Sequence, residues 1–232
     1  MPSKRYKKAQ GMIEAGKSYP LETATGLLVK FPRAKFNESV ELAFRLGVDP
    51  KQSDQMVRGT VALPHGSGKV VRVLVFAKPG PAAEAARQAG AEHVGFDEMI
   101  KKCSEGWTDF DIAVATPEAM GEVRKLGKVL GPRGLMPNPK TGTVTDDTAR
   151  AVKEFKAGRV EFKIDKTGNL HVPIGKVSFT EQQLIENGRA VLEAVLKAKP
   201  SSARGTYVRS CTLSATMSPP VPLDLRALQA AA

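Results

Sequence analysis

Hydrophobic positions recur along this chain in two periods, and the places where the period changes divide it. Leu21, Ala24, Leu27 and Leu28 fall three and four apart, the spacing of one helix face, and Pro32 closes that helix. The basic residues 1–19 ahead of it read as a helical arm. From Glu38 the period drops to two. Val40, Leu42, Phe44, Leu46 and Val48 alternate with Glu41, Ala43, Arg45 and Gly47, which predicts a strand buried on one face. Asp49-Pro50 opens a turn, and residues 59–63 (GTVAL) predict another strand.

Residues 64–69 (PHGSGK) form a flexible joint, and beyond it the pattern is different. Residues 70–77 (VVRVLVFA) are almost continuously apolar, as in a strand covered on both faces. Pro81 opens an Ala-rich helix that stops near Gly90, residues 97–105 predict a second helix, and residues 110–115 a second buried strand. Thr116-Pro117-Glu118 supplies a cap, an N1 proline and an acid to a third helix start. Thr145, followed by Asp146 and Asp147, caps a helix that runs to about Lys156. Strand and helix in alternation predict a small parallel α/β domain.

After Gly158 the period of two returns. Residues 159–165 and 170–172 predict strands flanking a hairpin turn at residues 166–169 (KTGN). Thr180 caps an amphipathic helix bearing Leu184, Ile185, Val191, Leu192 and Val195, ended by Pro200. Residues 207–217 predict a long strand, and the tail from Pro219 onward is expected to be poorly ordered. The fold class that follows is α/β: a discontinuous α+β domain from residues 1–67 and 158–232, with an α/β domain of residues 68–157 inserted. Two covalent joints of this kind permit a hinge.

Charge sharpens that division. Residues 1–67 carry 11 Lys/Arg against 6 Asp/Glu, residues 68–157 carry 14 against 12, and residues 158–232 carry 10 against 6. The two ends therefore carry +9 of the net +11, which favours a polyanion, nucleic acid before membrane. Aromatic content of 6% disfavours recognition built mainly on base stacking. No apolar run approaches the roughly 20 residues that cross a bilayer. No apolar segment follows the basic N-terminus, so a cytoplasmic location is expected. Cys103 and Cys211 read as free thiols, and isolated His65, His93 and His171 give no metal site.

Residues 127–144 (GKVLGPRGLMPNPKTGTV) hold four glycines and three prolines, with cations Lys128, Arg133 and Lys140 and no acid. That composition excludes a regular helix or central strand and predicts a long ordered loop, facing a phosphate or serving as a structural crossover. A P-loop fails here, because Pro139 stands where the second glycine belongs and offers no N–H. The Gly66–Lys69 alternative has Val70 in place of the metal-binding hydroxyl and precedes a strand. No dinucleotide fingerprint follows the first buried strand, and no histidine neighbours a nucleophile. A non-enzymatic protein without cofactor or small-molecule substrate is expected, with a nucleotide-using enzyme as the competing class.

The words GPRGLMPNP (131–139), SDQMVRGTVALPHG (53–66), AKFNESVEL (34–42), DKTG (165–168), HVPIGK (171–176) and TMS (216–218) occur in order along the chain. On these motifs the sequence resembles the bacterial large-subunit ribosomal protein L-one family. The resemblance implies a first domain built from both ends and a Rossmann-like inserted domain. It also implies binding to large-subunit rRNA at the base of a mobile stalk, help in releasing exit-site tRNA, and repression of its own operon through the mRNA. The family's RNA contacts map onto Lys35, Phe36, Glu38, Ser39, Asp165, Lys166, His171, Ser210, Thr216 and Met217. Hydroxyls at three of these suit 2′-OH and phosphate, the lysines suit phosphate, and Phe36 with Met217 suits an apolar platform. Lys128, Arg133 and Lys140 are secondary candidates for tRNA or neighbouring rRNA. A monomer is expected off the ribosome. One departure stands out: Ser218 occupies a position where the family commonly has glycine.

Overall fold

The computed structural model of the protein describes residues 2–225 and shows an α/β fold. The chain divides into two compact units, Met1–Gly68 with Gly158–Ala232, and Lys69–Ala157. The first unit begins with α1 (Lys4–Gln10), α2 (Leu21–Lys30), β1 (Ser39–Leu46) and β2 (Arg58–Ala62). The second contains β3 (Val73–Phe76), α3 (Pro81–Gln88), β4 (His93–Gly95), α4 (Asp97–Ser104), β5 (Ile112–Ala115), α5 (Met120–Val123), α6 (Gly127–Leu130) and α7 (Thr148–Ala157). The first unit then resumes with β6 (Arg159–Lys163), β7 (Asn169–Lys176), α8 (Glu181–Lys197), β8 (Val208–Ala215) and β9 (Val221–Pro222).

In the end-built unit, β7-β1-β8-β9 form an antiparallel sheet with β1 inside it, and β2 pairs separately with β6. The alternation of β1 puts Val40, Leu42, Phe44 and Leu46 into one core with Leu170, Val172 and Ile174 of β7 and Leu213 of β8. Leu21, Ala24 and Leu28 of α2 and Leu184, Val191 and Val195 of α8 belong to the same core. Helix α8 starts at a capping box: Gln183 N donates to Thr180 Oγ1 at 3.3 Å, and Thr180 N donates to Gln183 Oε1 at 3.0 Å.

Four features of this unit depart from the sequence reading. The helical arm stops at Gln10. The turn at residues 166–169 forms, closed by Asp165 N donating to Asn169 O at 2.8 Å, but its flanks are not a hairpin. Strand β6 leaves to pair with β2 while β7 pairs with β1; composition marks a turn but not the partners of the strands beside it. Strand β8 ends at Ala215, because Thr216 and Met217 are the centre of a turn in which Ser218 N donates to Ala215 O at 3.0 Å. The stretch after Pro219 is ordered by pairing: β9 joins β8, and Leu223 bridges Tyr19 in parallel. Residues 226–232 of that tail lie outside the described residues.

In the inserted unit, β4-β3-β5 form a parallel sheet. All four residues of β3 are buried, and its alternation feeds two cores. Leu74 and Phe76 face Cys103, Val123, Leu126 and Leu130, while Val73 and Val75 face Ala83, Ala86, Val152 and Phe155. The strand starts at Val73, later than predicted, and Val70 is 86% exposed. Strand β4, three residues long, was too short to mark itself by period. Thr116 caps a turn instead of a helix, its Oγ1 accepting Ala119 N at 3.4 Å, and α5 begins only at Met120. Asp147, with Oδ1 accepting Arg150 N at 3.0 Å, takes the capping role expected of Thr145.

The stretch 127–144 opens with a turn of helix, α6, where its glycines and prolines predict loop throughout. Gly131 is required where α6 ends: a Cβ there would lie 2.4 Å from Gly127 O. Farther on, Asn138 N donates to the Thr143 hydroxyl at 2.7 Å, and both Thr141 and Thr143 are buried. The end of the stretch runs parallel beside β5, with Ala115 N donating to Thr143 O at 2.9 Å and Thr145 N donating to Ala115 O at 3.1 Å. It is an ordered crossover built onto the sheet.

Candidate nucleic-acid interface

The residues of β1, β7 and β8 that do not enter the core line up in cross-strand rows on the other face. Asn169, Arg45 and Ser210 make one row; His171, Ala43 and Thr212 the next; Pro173, Glu41 and Ser214 a third. Small residues and hydroxyls predominate, Glu41 is the one acid, and His171, Arg45 and Ser210 are exposed. Such a shallow polar face can read the shape and 2′-OH groups of a folded RNA.

At the Ser39 end the face is held by a buried carboxylate. Glu38, 4% exposed, accepts Ala34 N at 2.8 Å and Arg5 Nη1 at 3.2 Å on Oε1, and Met217 N at 2.9 Å on Oε2. Arg5 Nη2 also donates to Met217 O at 3.3 Å. Ser39 and Thr216 are joined three ways: Ser39 N to Thr216 Oγ1 at 3.1 Å, Thr216 N to Ser39 O at 3.0 Å, and Thr216 Oγ1 to Ser39 O at 3.3 Å. Lys176 Nζ donates to Ser39 Oγ at 2.7 Å. Phe36 and Met217, each 53% exposed, flank this brace and hold apolar surface in water, while Lys35 is exposed beside them. Ser218 closes the turn through its hydroxyl, which accepts Ala215 N at 2.8 Å. No described non-glycine residue has positive φ, so the glycine conformation that the family's usual residue would permit is not used at Ser218.

At the Arg45 end stands the turn after β6. The Asp165 carboxylate accepts Thr167 N at 2.8 Å, the Thr167 hydroxyl at 2.8 Å and Asn169 N at 2.7 Å. The bond from Asn169 N leads the causes that hold this carboxyl down at about 2. Gly168 O, in the same turn, accepts Leu46 N at 2.9 Å and ties the turn to the end of β1. Lys166 is exposed at its tip.

The ten primary residues expected from sequence therefore fall on one sheet face and its two ends. Lys35, Phe36, Glu38, Ser39, Thr216 and Met217 gather at one end, His171 lies mid-face, and Ser210, Asp165 and Lys166 lie at the other. Seven steps along β1 separate the ends by roughly 24 Å. Sequence reasoning passed over Arg5, Arg45, Thr212 and Ser214. The alternation of β1 marks Arg45 as outward, but nothing local announces that Arg5 reaches Glu38, 33 residues away.

The secondary candidates belong to the inserted unit and not to this face. Lys128 is exposed on α6, Arg133 is exposed and donates to the Thr108 hydroxyl, and the side chain of Lys140 lies outside the described residues. Among the described residues no group of three His, Cys, Asp or Glu side chains is placed to hold a metal, and no helix is long and apolar enough to cross a membrane. Residues 28–219 match the model of the ribosomal protein L1p/L10e family. That span includes both the face and the inserted unit, and the chain belongs to this family of structural, non-enzymatic proteins that bind the rRNA of the large ribosomal subunit.

Proposed function

We propose that the outward face of β7-β1-β8, between Phe36 with Met217 at one end and Lys166 at the other, holds the rRNA at the base of the mobile stalk. The observation that carries this reading is the pair of half-exposed apolar side chains, Phe36 and Met217, set around the buried Glu38 brace. Keeping such side chains in water on a rigid support is costly unless a partner covers them. The hydroxyls of Ser39, Ser210 and Thr216 supply 2′-OH and phosphate contacts, and Lys35 and Lys166 supply salt-sensitive ones. Glu38 and Asp165 serve the face by shaping it, since their oxygens are already engaged within the fold.

On this reading the two chain ends form the rRNA-binding domain. The inserted domain carries Lys128, Arg133 and Lys140 toward exit-site tRNA or neighbouring rRNA and assists tRNA release. The protein is a cytoplasmic monomer when off the ribosome. The same face binds an mRNA of the protein's own operon that mimics the rRNA site, and so represses its translation. Met217→Ala and Thr216→Val should each weaken binding to a stalk rRNA fragment by roughly 1–3 kcal/mol, the scale of one lost apolar or polar contact. Wild-type affinity in both variants would sink this placement. The operon mRNA should compete with the rRNA fragment for the same protein, and simultaneous binding of both would reject the shared face.

A further inference from the structure

Beyond the Arg45 end of the face, the structure contains a cleft of about 410 Å³ lined by Gly47, Asp49, Gln55, Ser202, Arg204 and Arg209. It exists because of an irregularity in β8. The register against β1 shifts between Arg45 and Leu46, whose partners are Ser210 and Val208, so that Arg209 is the extra residue. A bulge re-aims a side chain. Here two consecutive exposed residues result: Ser210 stays on the RNA face, and Arg209 lines the cleft.

Gly47 lets the Thr206 carbonyl approach closely at the cleft's edge. Any Cβ at that position would lie 2.2 Å from Thr206 O and 3.2 Å from Arg209 Nε. Arg204 and Arg209 are both exposed and make no hydrogen bond or ion pair among the described residues. The one acid in the lining, Asp49, already accepts Lys51 N at 3.0 Å on Oδ1, and its own N–H is taken by Gln55 Oε1 at 2.9 Å. Two exposed guanidiniums without protein partners among the described residues thus share one concave site with Ser202, whose hydroxyl donates to Asp54 O at 3.5 Å. Guanidiniums match the geometry of phosphate oxygens two at a time. No aromatic ring lines the cleft, so it is suited to a backbone phosphate and not to a base.

We propose that this cleft anchors a phosphate of the RNA strand as it runs off the Arg45 end of the face. The inference rests on the RNA-binding reading above. It adds a further phosphate contact to a face whose other salt-sensitive contacts come from Lys35 and Lys166. The test uses the full-length protein and a stalk rRNA fragment, with affinity measured across a range of salt concentrations. Arg204→Gln/Arg209→Gln should weaken binding about tenfold near 0.1 M salt and make the log–log salt slope shallower by roughly 0.8, as one lost phosphate contact requires. Arg209→Lys in the presence of Arg204 should restore most of that slope. Met217→Ala, run in parallel, should lose affinity with the slope unchanged.

An unaltered slope in the double variant, with Met217→Ala still weakened, overturns the cleft and leaves the face standing. A shallower slope with Met217→Ala and Thr216→Val both silent overturns the face and keeps the cleft. Inorganic phosphate supplies a further arm: saturation of the arginine Nε–H resonances by phosphate alone below about 1 mM would make this a free-anion site and overturn the RNA assignment.

Discussion

The carboxylate of Glu38 accepts the backbone N–H of Met217 at 2.9 Å, fastening together residues 179 positions apart. The same side chain accepts Ala34 N and pairs with Arg5, so three donors depend on it. Its removal leaves three part-buried donors without their partner and loosens the turn that displays Met217. Glu38→Ala should destabilise the end-built unit by about 3 kcal/mol in urea unfolding. Arg5→Ala should cost only about 1 kcal/mol, because Arg5 is partly exposed and both backbone donors keep their acceptor. Equal losses in the two variants would contradict the assignment of the brace to Glu38.

Ser218 stands where the resemblance leads one to expect glycine, and its hydroxyl is used. It accepts Ala215 N at 2.8 Å in a turn that needs no positive φ. Ser218→Gly, although it restores the commoner residue, should lower stability by about 1 kcal/mol through the lost hydrogen bond and the freer unfolded chain. A gain in thermal stability would show that the turn is strained as it stands.

Asn187 is wholly buried and spends its amide on the segment at the first joint. Its Nδ2 donates to Gly66 O at 3.0 Å and Ile174 O at 2.7 Å, and its Oδ1 accepts His65 N at 3.0 Å. Asn187→Leu should cost about 3 kcal/mol or more, since three backbone groups lose their partner at once. Nearby, Gly158 has φ 110, and a Cβ there would sit 2.3 Å from the Gly66 Cα. Gly158→Ala should therefore also destabilise, by at least about 1 kcal/mol. Tolerance of either change would mean that this corner is looser than its hydrogen bonds indicate.

Asp165 gives a pH dependence. Bonds from Asn169 N, Thr167 N and the Thr167 hydroxyl lower its carboxyl from 3.8 to about 2. A group whose folded value is depressed stabilises above its ordinary value and loses that contribution as pH falls through the folded one. The turn at the Arg45 end should thus be intact above pH about 4 and come apart toward pH about 2. Carbon-13 titration of the Asp165 carboxyl checks this, and a midpoint near 4 would reject the bonded turn.

What could be read from sequence depended on whether the controlling forces were local. The alternation of Val40 to Leu46 named both the strand and its buried face, because burial on one side imposes a period of two. Thr180 announced the start of α8, because an N-cap acts within one turn. Partnering is a different matter. Nothing within β6 distinguishes pairing with β2 from pairing with β7, and the short β9 owes its order to β8. The site shows the same division. The motif words located Phe36, Ser39, Thr216 and Met217, yet that Glu38 lies beneath them as a support became visible only when residues from both ends of the chain were placed together. Arg209 was equally hidden, since a bulge arises from two strands and neither carries it alone.

Strand β1 lies between β7 and β8, and this arrangement bears on synthesis order. Arg5, Phe36 and β1 leave the peptide exit early, but both flanking strands and the Thr216–Met217 turn come after residue 168, in the last part of the chain. A nascent chain therefore cannot present the face piecemeal. On the proposed reading, RNA-binding competence arrives late, once β7, β8 and the Thr216–Met217 turn have followed the inserted unit.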